Sequence, residues 1–334
     1  MATTLWAAGW PGSFPMVNVA AVDCGTLSTR LLVCGPTGVP IVRLMRITKL
    51  GEGVDRARSL LPAAIDRVIA VLREYREVMD HHDVRRARMV GTSALRDAGN
   101  RAAFCEEAAE VVGAEVELLS GPEEAALSFQ GATRELGPGT GPWLVADIGG
   151  GSTELAVGPE PAEACSLDLG CVRVTERFFR HDPPAAPELA EAAAWLTGQY
   201  QRAEATVPGL VSARALVGLA GTVAALACYD QGLAVYDRTA VHHYRLSRPA
   251  VERAAHDLAR EPAARRSGHA GIEAGRAPVI VGGTLVLATL MAHFGFGDCL
   301  VSESDILDGL AWTLLGPGHP AQPPGASRPT RPAR

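Results

Sequence analysis

The chain has 334 residues, 47% of them hydrophobic, which is enough for a sizeable core and, by length, for two domains rather than one. A net charge of −6 excludes a general nucleic-acid binder, whose surface must carry positive charge to neutralise phosphates. No uninterrupted apolar run reaches the roughly 18 residues of a membrane helix, and residues 1–15 lack the basic start and apolar run of a secretory signal, so we expect a cytoplasmic protein with neither nucleic-acid nor membrane partners.

Residues 1–15 hold prolines and glycines without pattern and are expected to be a disordered extension. Three closely spaced apolar runs follow, Val17–Val22, Arg30–Cys34 and Val39–Ile47, which read as an antiparallel meander. Ser59 is a candidate cap for a helix in which Leu61, Ile65, Val68, Ile69, Leu72 and Tyr75 recur at helical spacing. A strand at Arg88–Gly91, a helix from Asn100 to Val112, a strand at Val116–Leu119 and a helix at Glu123–Thr133 complete the first half. Pro138–Pro142 is a breaker cluster, after which the opening pattern recurs: a strand at Trp143–Ile148, a polar glycine turn, a return strand at Glu154–Val157 and a third at Ser166–Leu169. This repetition indicates an internal duplication. A helix around Glu188–Ala205, a strand Ala215–Leu219, a loop Ala220-Gly221-Thr222, a strand Val279–Val281, a helix Leu285–Phe294, a strand Leu300–Ser302 and a closing helix Ser304–Leu314 are expected next. Residues 316–334 are rich in proline and glycine and are expected to be a disordered tail. The seven cysteines are odd in number and form no CxxC pair, which favours reduced buried thiols.

Chemistry concentrates in a few segments. Asp23-Cys24-Gly25-Thr26-Leu27-Ser28 is a tight turn of backbone N–H groups and hydroxyls that can hold a phosphate or serve as an ordinary hairpin. Asp147-Ile148-Gly149-Gly150-Gly151-Ser152-Thr153 has three consecutive glycines, more than a hairpin needs, and reads as an anion cradle. It is not a P-loop, because no Gly-Lys-Ser/Thr follows. Gly221 and Thr222 open a helix, where unpaired N–H groups favour anions, or form a plain strand-to-helix connection. Asp23 and Asp147 end matching strands, and such a pair can hold Mg²⁺ or merely cap two turns. Glu123 and Glu124 suit a helix start by dipole complementarity, and one of them can act as a general base on water attacking a phosphoryl group. Arg30 and Arg96 offer forked phosphate ligands, or in the case of Arg96 a salt bridge to Asp97.

The segments VAAVDCGTLSTRLLV, LGEGVD, TSALRDAGN, SGPEEAALSFQGA, VADIGGGSTEL, LDLGCVRVTERF, GLAGTVAALA and VSESDILDGL run in the order of the exopolyphosphatase and guanosine pentaphosphate phosphohydrolase family, which the chain resembles from about Val17 to Leu314. The resemblance implies an α/β, two-domain actin-like ATPase fold, shared with sugar kinases and heat-shock chaperones, with duplicated βββαβαβα-type halves around a cleft. The expected division is 16–128 with a closing helix 303–315 for the first domain, and 129–302 for the second. The activity implied is release of terminal orthophosphate from inorganic polyphosphate, or 5′-hydrolysis of guanosine pentaphosphate (pppGpp). A sensor that binds either without hydrolysis and an ATP-using kinase are the rivals. Glu124 aligns with the family's catalytic glutamate and Glu154 with its loop glutamate. The phosphate loops fall on Gly25, Thr26 and Ser28, and on Gly149, Gly150, Gly151, Ser152 and Thr153, with Arg96 before its helix. Mg²⁺ and a homodimer are also implied, and the chain stops where longer members add a helical domain.

Two positions depart from the family pattern. Leu27 stands where asparagine is usual, which removes a polar side chain near the phosphate. Gly275-Arg276-Ala277-Pro278 replaces an aspartate by Pro278, losing a carboxylate and an N–H with a local effect expected in the second domain.

Overall fold

The computed structural model describes residues 17–137, 141–158 and 163–316. The expected extension 1–15, most of the expected tail and residues 138–140 of the breaker cluster lie outside the described residues.

The first half opens with β1 (Asn18–Cys24), β2 (Ser28–Cys34) and β3 (Pro40–Ile47), followed by α1 (Val54–Ala57), α2 (Pro62–His81), β4 (Val84–Gly91), α3 (Ser93–Asp97), α4 (Arg101–Val112), β5 (Val116–Leu118) and α5 (Gly121–Thr133). Its sheet has the order β3-β2-β1-β4-β5, with β1 antiparallel to β2 and parallel to β4. The second half holds β6 (Trp143–Ile148), β7 (Thr153–Val157), β8 (Glu163–Leu167), α6 (Cys171–Phe178), α7 (Ala186–Thr206), β9 (Ala215–Leu219) and α8 (Ala220–Gln231). It continues through α9 (Arg238–Val241), β10 (Arg245–Ser247), α10 (Arg248–Leu258), α11 (Ala263–Arg266), α12 (Ile280–Phe294), β11 (Asp298–Val301) and α13 (Ile306–Leu315). Its sheet runs β10-β11-β9-β6-β7-β8, again with one antiparallel meander (β6, β7, β8) and one parallel wing (β9, β11) on either side of the first strand. The two sheets therefore repeat one topology, β10 being an added edge. This is the two-domain actin-like architecture.

Each half has its own core. Val68, Leu72, Tyr75 and Phe104 from α2 and α4 pack on Ala20, Val22 and Leu31 of the first sheet. The larger cluster joins Leu196, Val223, Leu226, Val286 and Leu290 to Leu144, Ala146 and Leu155 of the second. The inner faces are covered by two helices that cross. The helix α13 lays Ile306, Leu307, Leu310 and Ala311 on Val19, Ala21 and Leu32, while α5 lays Ala125, Phe129 and Ala132 on Val145, Ala156 and Val217. Glycine makes the crossing possible: a Cβ on Gly131 would sit 1.9 Å from the Asp305 carbonyl oxygen, and one on Gly309 2.4 Å from that of Leu127. Residue 128, the last of the expected first domain, is inside α5.

Several local expectations change. Ser59 does not cap α2, which begins at Pro62 after Leu61, with proline fixing the first-turn φ. Val279–Val281 is not a strand; α12 runs unbroken from Ile280 through Gly282 and Gly283. That helix is buried nearly all round, so it shows no amphipathic stripe, and its glycines allow contact with Thr175 and Thr222. The loop expected at Ala220–Thr222 is the first turn of α8. Residues 171–178 and 232–278, which carried no clear pattern, supply α6, α9, α10, α11 and β10. All seven cysteines are free thiols, and no helix among the described residues is long and apolar enough to cross a membrane.

Candidate active site

A cavity of about 590 Å³ lies between the halves, and the turns after β1 and β6 both reach it. The turns are built alike: the Gly25 N–H donates to the Ser28 carbonyl at 3.0 Å, and the Gly149 N–H to the Ser152 carbonyl at 3.0 Å. The N–H groups of Thr26, Leu27, Gly150 and Gly151 donate to no backbone carbonyl among the described residues. The turns also touch. A Cβ on Gly150 would lie 3.0 Å from Thr26 Cβ, and one on Gly151 would lie 2.6 Å from Ser93 Oγ. Close approach of the two halves thus explains the glycines.

The strand ends carry an acidic cluster in matched register. Asp23 pairs across β1–β2 with Arg30, and Asp147 pairs across β6–β7 with Glu154. Asp23 takes two hydrogen bonds from Arg30 on Oδ2, at 2.9 and 2.6 Å, while its buried Oδ1 has no partner. Asp147 accepts from Ser128 Oγ at 2.7 Å, and burial pushes its carboxyl up to about 6 against the lowering field of Arg30. Burial also raises Asp23, despite Arg30. Asp305, the cap of α13, is pulled the other way: burial raises it, but Arg30, Arg43 and the Leu307 N–H together hold it low.

The start of α5 separates its two glutamates. Ser120 and Glu123 form a reciprocal capping box, Ser120 Oγ accepting from the Glu123 N–H at 3.4 Å and Glu123 Oε2 accepting from the Ser120 N–H at 2.9 Å. Glu123 is therefore the structural member of the pair. Glu124, one residue on, turns inward and lines the cavity. Arg96 Nη1 donates to Glu124 Oε2 at 2.6 Å and to the Leu119 carbonyl at 3.1 Å. Burial raises Glu124 to about 7, Arg96 opposes, and Asp147 and Asp23 push it further up. Glu154 lies behind it, accepting from Ser166 Oγ at 2.7 Å, with Arg96 Nη2 at 3.8 Å. Burial, then the Glu124 and Asp147 charges, hold Glu154 well above the usual carboxylate range.

Most of the expected site residues meet at this cavity: Asp23, Gly25, Thr26, Ser28, Arg30, Glu124, Asp147, Gly149, Gly150, Gly151, Ser152 and Gly221 all line it. Four do not. Thr153 is buried with its hydroxyl on the Leu169 carbonyl, and Thr222 is buried beside Gly283. Glu154 sits one layer behind Glu124. Arg96 is drawn behind the site by Glu124 and Glu154 and makes no bridge to Asp97, which pairs with Arg58 and Arg173 instead. Arg30 does line the cavity, but its guanidinium bridges Asp23 and Asp305, at 2.6 and 2.5 Å, so it is held as an internal ion-pair member.

Two further residues emerge only in three dimensions. Arg276 lies over the first turn of α8, its guanidinium where a Cβ on Gly221 would be, with one ion-pair partner among the described residues, Glu273, at 3.6 Å. The motif containing it attracted notice in sequence through Pro278 alone. Arg173 of α6 is 6% exposed and donates to the Gly151 carbonyl at 2.7 Å and to Asp97 at 2.5 Å, and it also pairs with Asp55. It ties the second glycine turn to the first half, and its partners are too far away in sequence to suggest the pairing. Leu27 lines the cavity and is also buried against Cys171 and Val172 of α6, an apolar contact across the cleft.

No ion is present. The unpartnered Asp23 Oδ1, with Asp147 and Glu124 on the same cavity, fits a hard divalent cation that keeps several waters. The one cluster of three potential metal ligands among the described residues is elsewhere, at Glu135, His242 and His243. There the His242 Nδ1 accepts from the Glu303 N–H at 3.0 Å, so the neutral ring carries its proton on the nitrogen facing Glu135, and the exposed His243 ring stacks on it.

The sequence matches the Ppx/GppA phosphatase family over residues 37–314. It is 40% identical over 319 residues to exopolyphosphatase 2 of Mycobacterium tuberculosis H37Rv, covering 90% of this chain and 99% of that protein. It is 36% identical over 174 residues to the guanosine-5′-triphosphate,3′-diphosphate pyrophosphatase of Vibrio parahaemolyticus, covering 51% of this chain and 34% of that one. The fold is similar to the crystal structure of an exopolyphosphatase-like protein, with a TM-score of 0.84 and 33% identity over 89% of this chain and 98% of that one.

Proposed function

The chain belongs to the Ppx/GppA phosphatase family, and from that premise we propose that it is a cytoplasmic exopolyphosphatase, releasing terminal orthophosphate from inorganic polyphosphate. One observation carries the reading: Glu124 is held at the capped start of α5, facing the cavity, with a carboxyl raised to about 7. A group poised there takes up a proton efficiently at neutral pH.

The terminal phosphoryl group sits between the two glycine turns, whose N–H groups at Thr26, Leu27, Gly150 and Gly151 face developing charge on its oxygens. Glu124 accepts a proton from water as the water oxygen bonds to phosphorus. The bond from phosphorus to the bridging oxygen breaks, and that oxygen leaves with the shortened chain. Arg96 orients Glu124 through the 2.6 Å bond. Burial and the Glu124 charge push the Glu154 carboxyl up, which favours a single negative charge on the two glutamates. A divalent cation, magnesium by the resemblance, would be held by Asp23 and Asp147 and would neutralise phosphate oxygens. Arg276, beside the turns, is placed to meet a further phosphate.

A second reading has its own support. Ala224, Ala225, Cys228, Ile272 and Tyr236 give the cavity an apolar wall that a chain of phosphates does not need and a guanine nucleoside would fill. Phosphate release from polyphosphate and from guanosine pentaphosphate, at equal concentration with magnesium, tests both. Faster release from polyphosphate supports the first reading, and faster release from the nucleotide replaces it with the second. No release from either sinks both.

A further inference from the structure

The cavity has a long axis. Ala220, Gly221, Ala224, Ala225 and Cys228 all line it, the repeat of one helical face, so the cavity follows α8 from its first turn to its last. The glycine turns and Arg276 are at the first end. Tyr236 and Arg238, which follow α8 in the chain, also line the cavity and both reach Glu303. Eight residues of helix separate Ala220 from Cys228, about 12 Å.

Four arginines line this cavity, and they differ in what they have left to offer. Arg30 and Arg43 are engaged by Asp23, Asp305 and Asp308. Arg276 stands beside the glycine turns. Arg238 has no carboxylate within ion-pair distance among the described residues. Among the described residues its buried Nε has no partner, and its guanidinium makes one hydrogen bond, at 3.5 Å to the Glu303 carbonyl. The acids close by are occupied: Glu135 by His242 at 2.9 Å and Ser304 at 3.3 Å, and Glu303 by the Tyr236 hydroxyl. A guanidinium with open donors in a groove is suited to a phosphate dianion, which accepts in a forked geometry.

We infer that Arg238 forms a distal phosphate subsite, binding a phosphate of the substrate several units from the one being cleaved and so making affinity depend on substrate length. This rests on the hydrolase reading above. The shared chemistry is a phosphate remote from the reacting one. It can belong to the tail of a polyphosphate or to the 3′-diphosphate of a guanine nucleotide. A substrate too short to reach Arg238 from the glycine turns gains nothing from it.

The test measures KM for tripolyphosphate, for long-chain polyphosphate and for guanosine pentaphosphate, in wild type, Arg238→Gln and Arg238→Lys. The inference predicts that Arg238→Gln raises KM for long chains about tenfold, the size of one charge-assisted hydrogen bond. Its KM for tripolyphosphate should change less than about twofold, and Arg238→Lys should recover part of the loss. A rise confined to the nucleotide assigns the subsite to its 3′-diphosphate. An equal rise on every substrate, or none on any, overturns the inference. Direct binding of long-chain polyphosphate to the same proteins gives the result without turnover. If the wild type releases no phosphate, the hydrolase reading fails, whereas equal binding by wild type and Arg238→Gln sinks only the subsite.

Discussion

Glu124 is the residue on which the chemistry turns, and its burial sets a pH dependence. To accept a proton it must be ionised, and burial lifts its carboxyl from 4.5 to about 7. The turnover rate should therefore fall about tenfold per pH unit below 7 and level off above it. A profile that stays flat down to pH 5.5 would show that Glu124 is not the titrating base. Leu27 gives a second prediction at this scale. As an asparagine it would bring an amide into the apolar contact with Cys171 and Val172. Leu27→Asn should lower unfolding free energy by about 1–3 kcal/mol in denaturant melts, with no gain in turnover. A gain in turnover would mean that the asparagine side chain reaches the phosphate after all.

Among the elements, α6 and the α5–α13 crossing decide how the halves meet. Arg173 places a buried guanidinium from α6 between the Gly151 carbonyl and the carboxylates of Asp55 and Asp97. Arg173→Ala leaves two carboxylates without their partner and frees the glycine turn. It should cost about 3–5 kcal/mol of stability and reduce turnover together, read by melts and phosphate release. Unchanged turnover in a folded variant would deny Arg173 any role in holding that turn. This network also marks how far sequence reading goes. The meanders were legible because β1, β2, β6 and β7 are buried on both faces and read as apolar runs closed by polar turns, and paired acids at Glu123 and Glu124 marked the start of α5. Three glycines in a row signalled their turn by cost alone. By contrast, the start of α12 read as a strand, because the helix is buried nearly all round and its first turns carry no amphipathic stripe. Arg173 and Asp55 are 118 residues apart, and no local pattern links them. Arg96 looked like a phosphate ligand because its free fork is indistinguishable, in sequence, from one pinned by Glu124.

The whole molecule concentrates buried carboxyls at the joint between its halves, and this couples stability to pH and to cation. Glu124 rises from 4.5 to about 7 and Asp147 from 3.8 to about 6 on folding. A carboxyl raised in the folded state contributes stability that is complete below its unfolded value and lost as pH climbs through its folded value. These two groups should thus make the metal-free protein less stable as pH rises from about 4 to about 7. A divalent cation that binds the ionised carboxylates should reverse the loss, raising Tm more at pH 8 than at pH 5. An equal shift at both would place the cation elsewhere. The central claim, that Glu124 is the base of a phosphate-releasing site, is met most directly by comparing wild type and Glu124→Gln in phosphate release from polyphosphate with magnesium, alongside binding of the same substrate. The account predicts that the variant still binds and loses turnover by about 10²–10⁴-fold. Release near the wild-type rate from a variant that binds normally would contradict it.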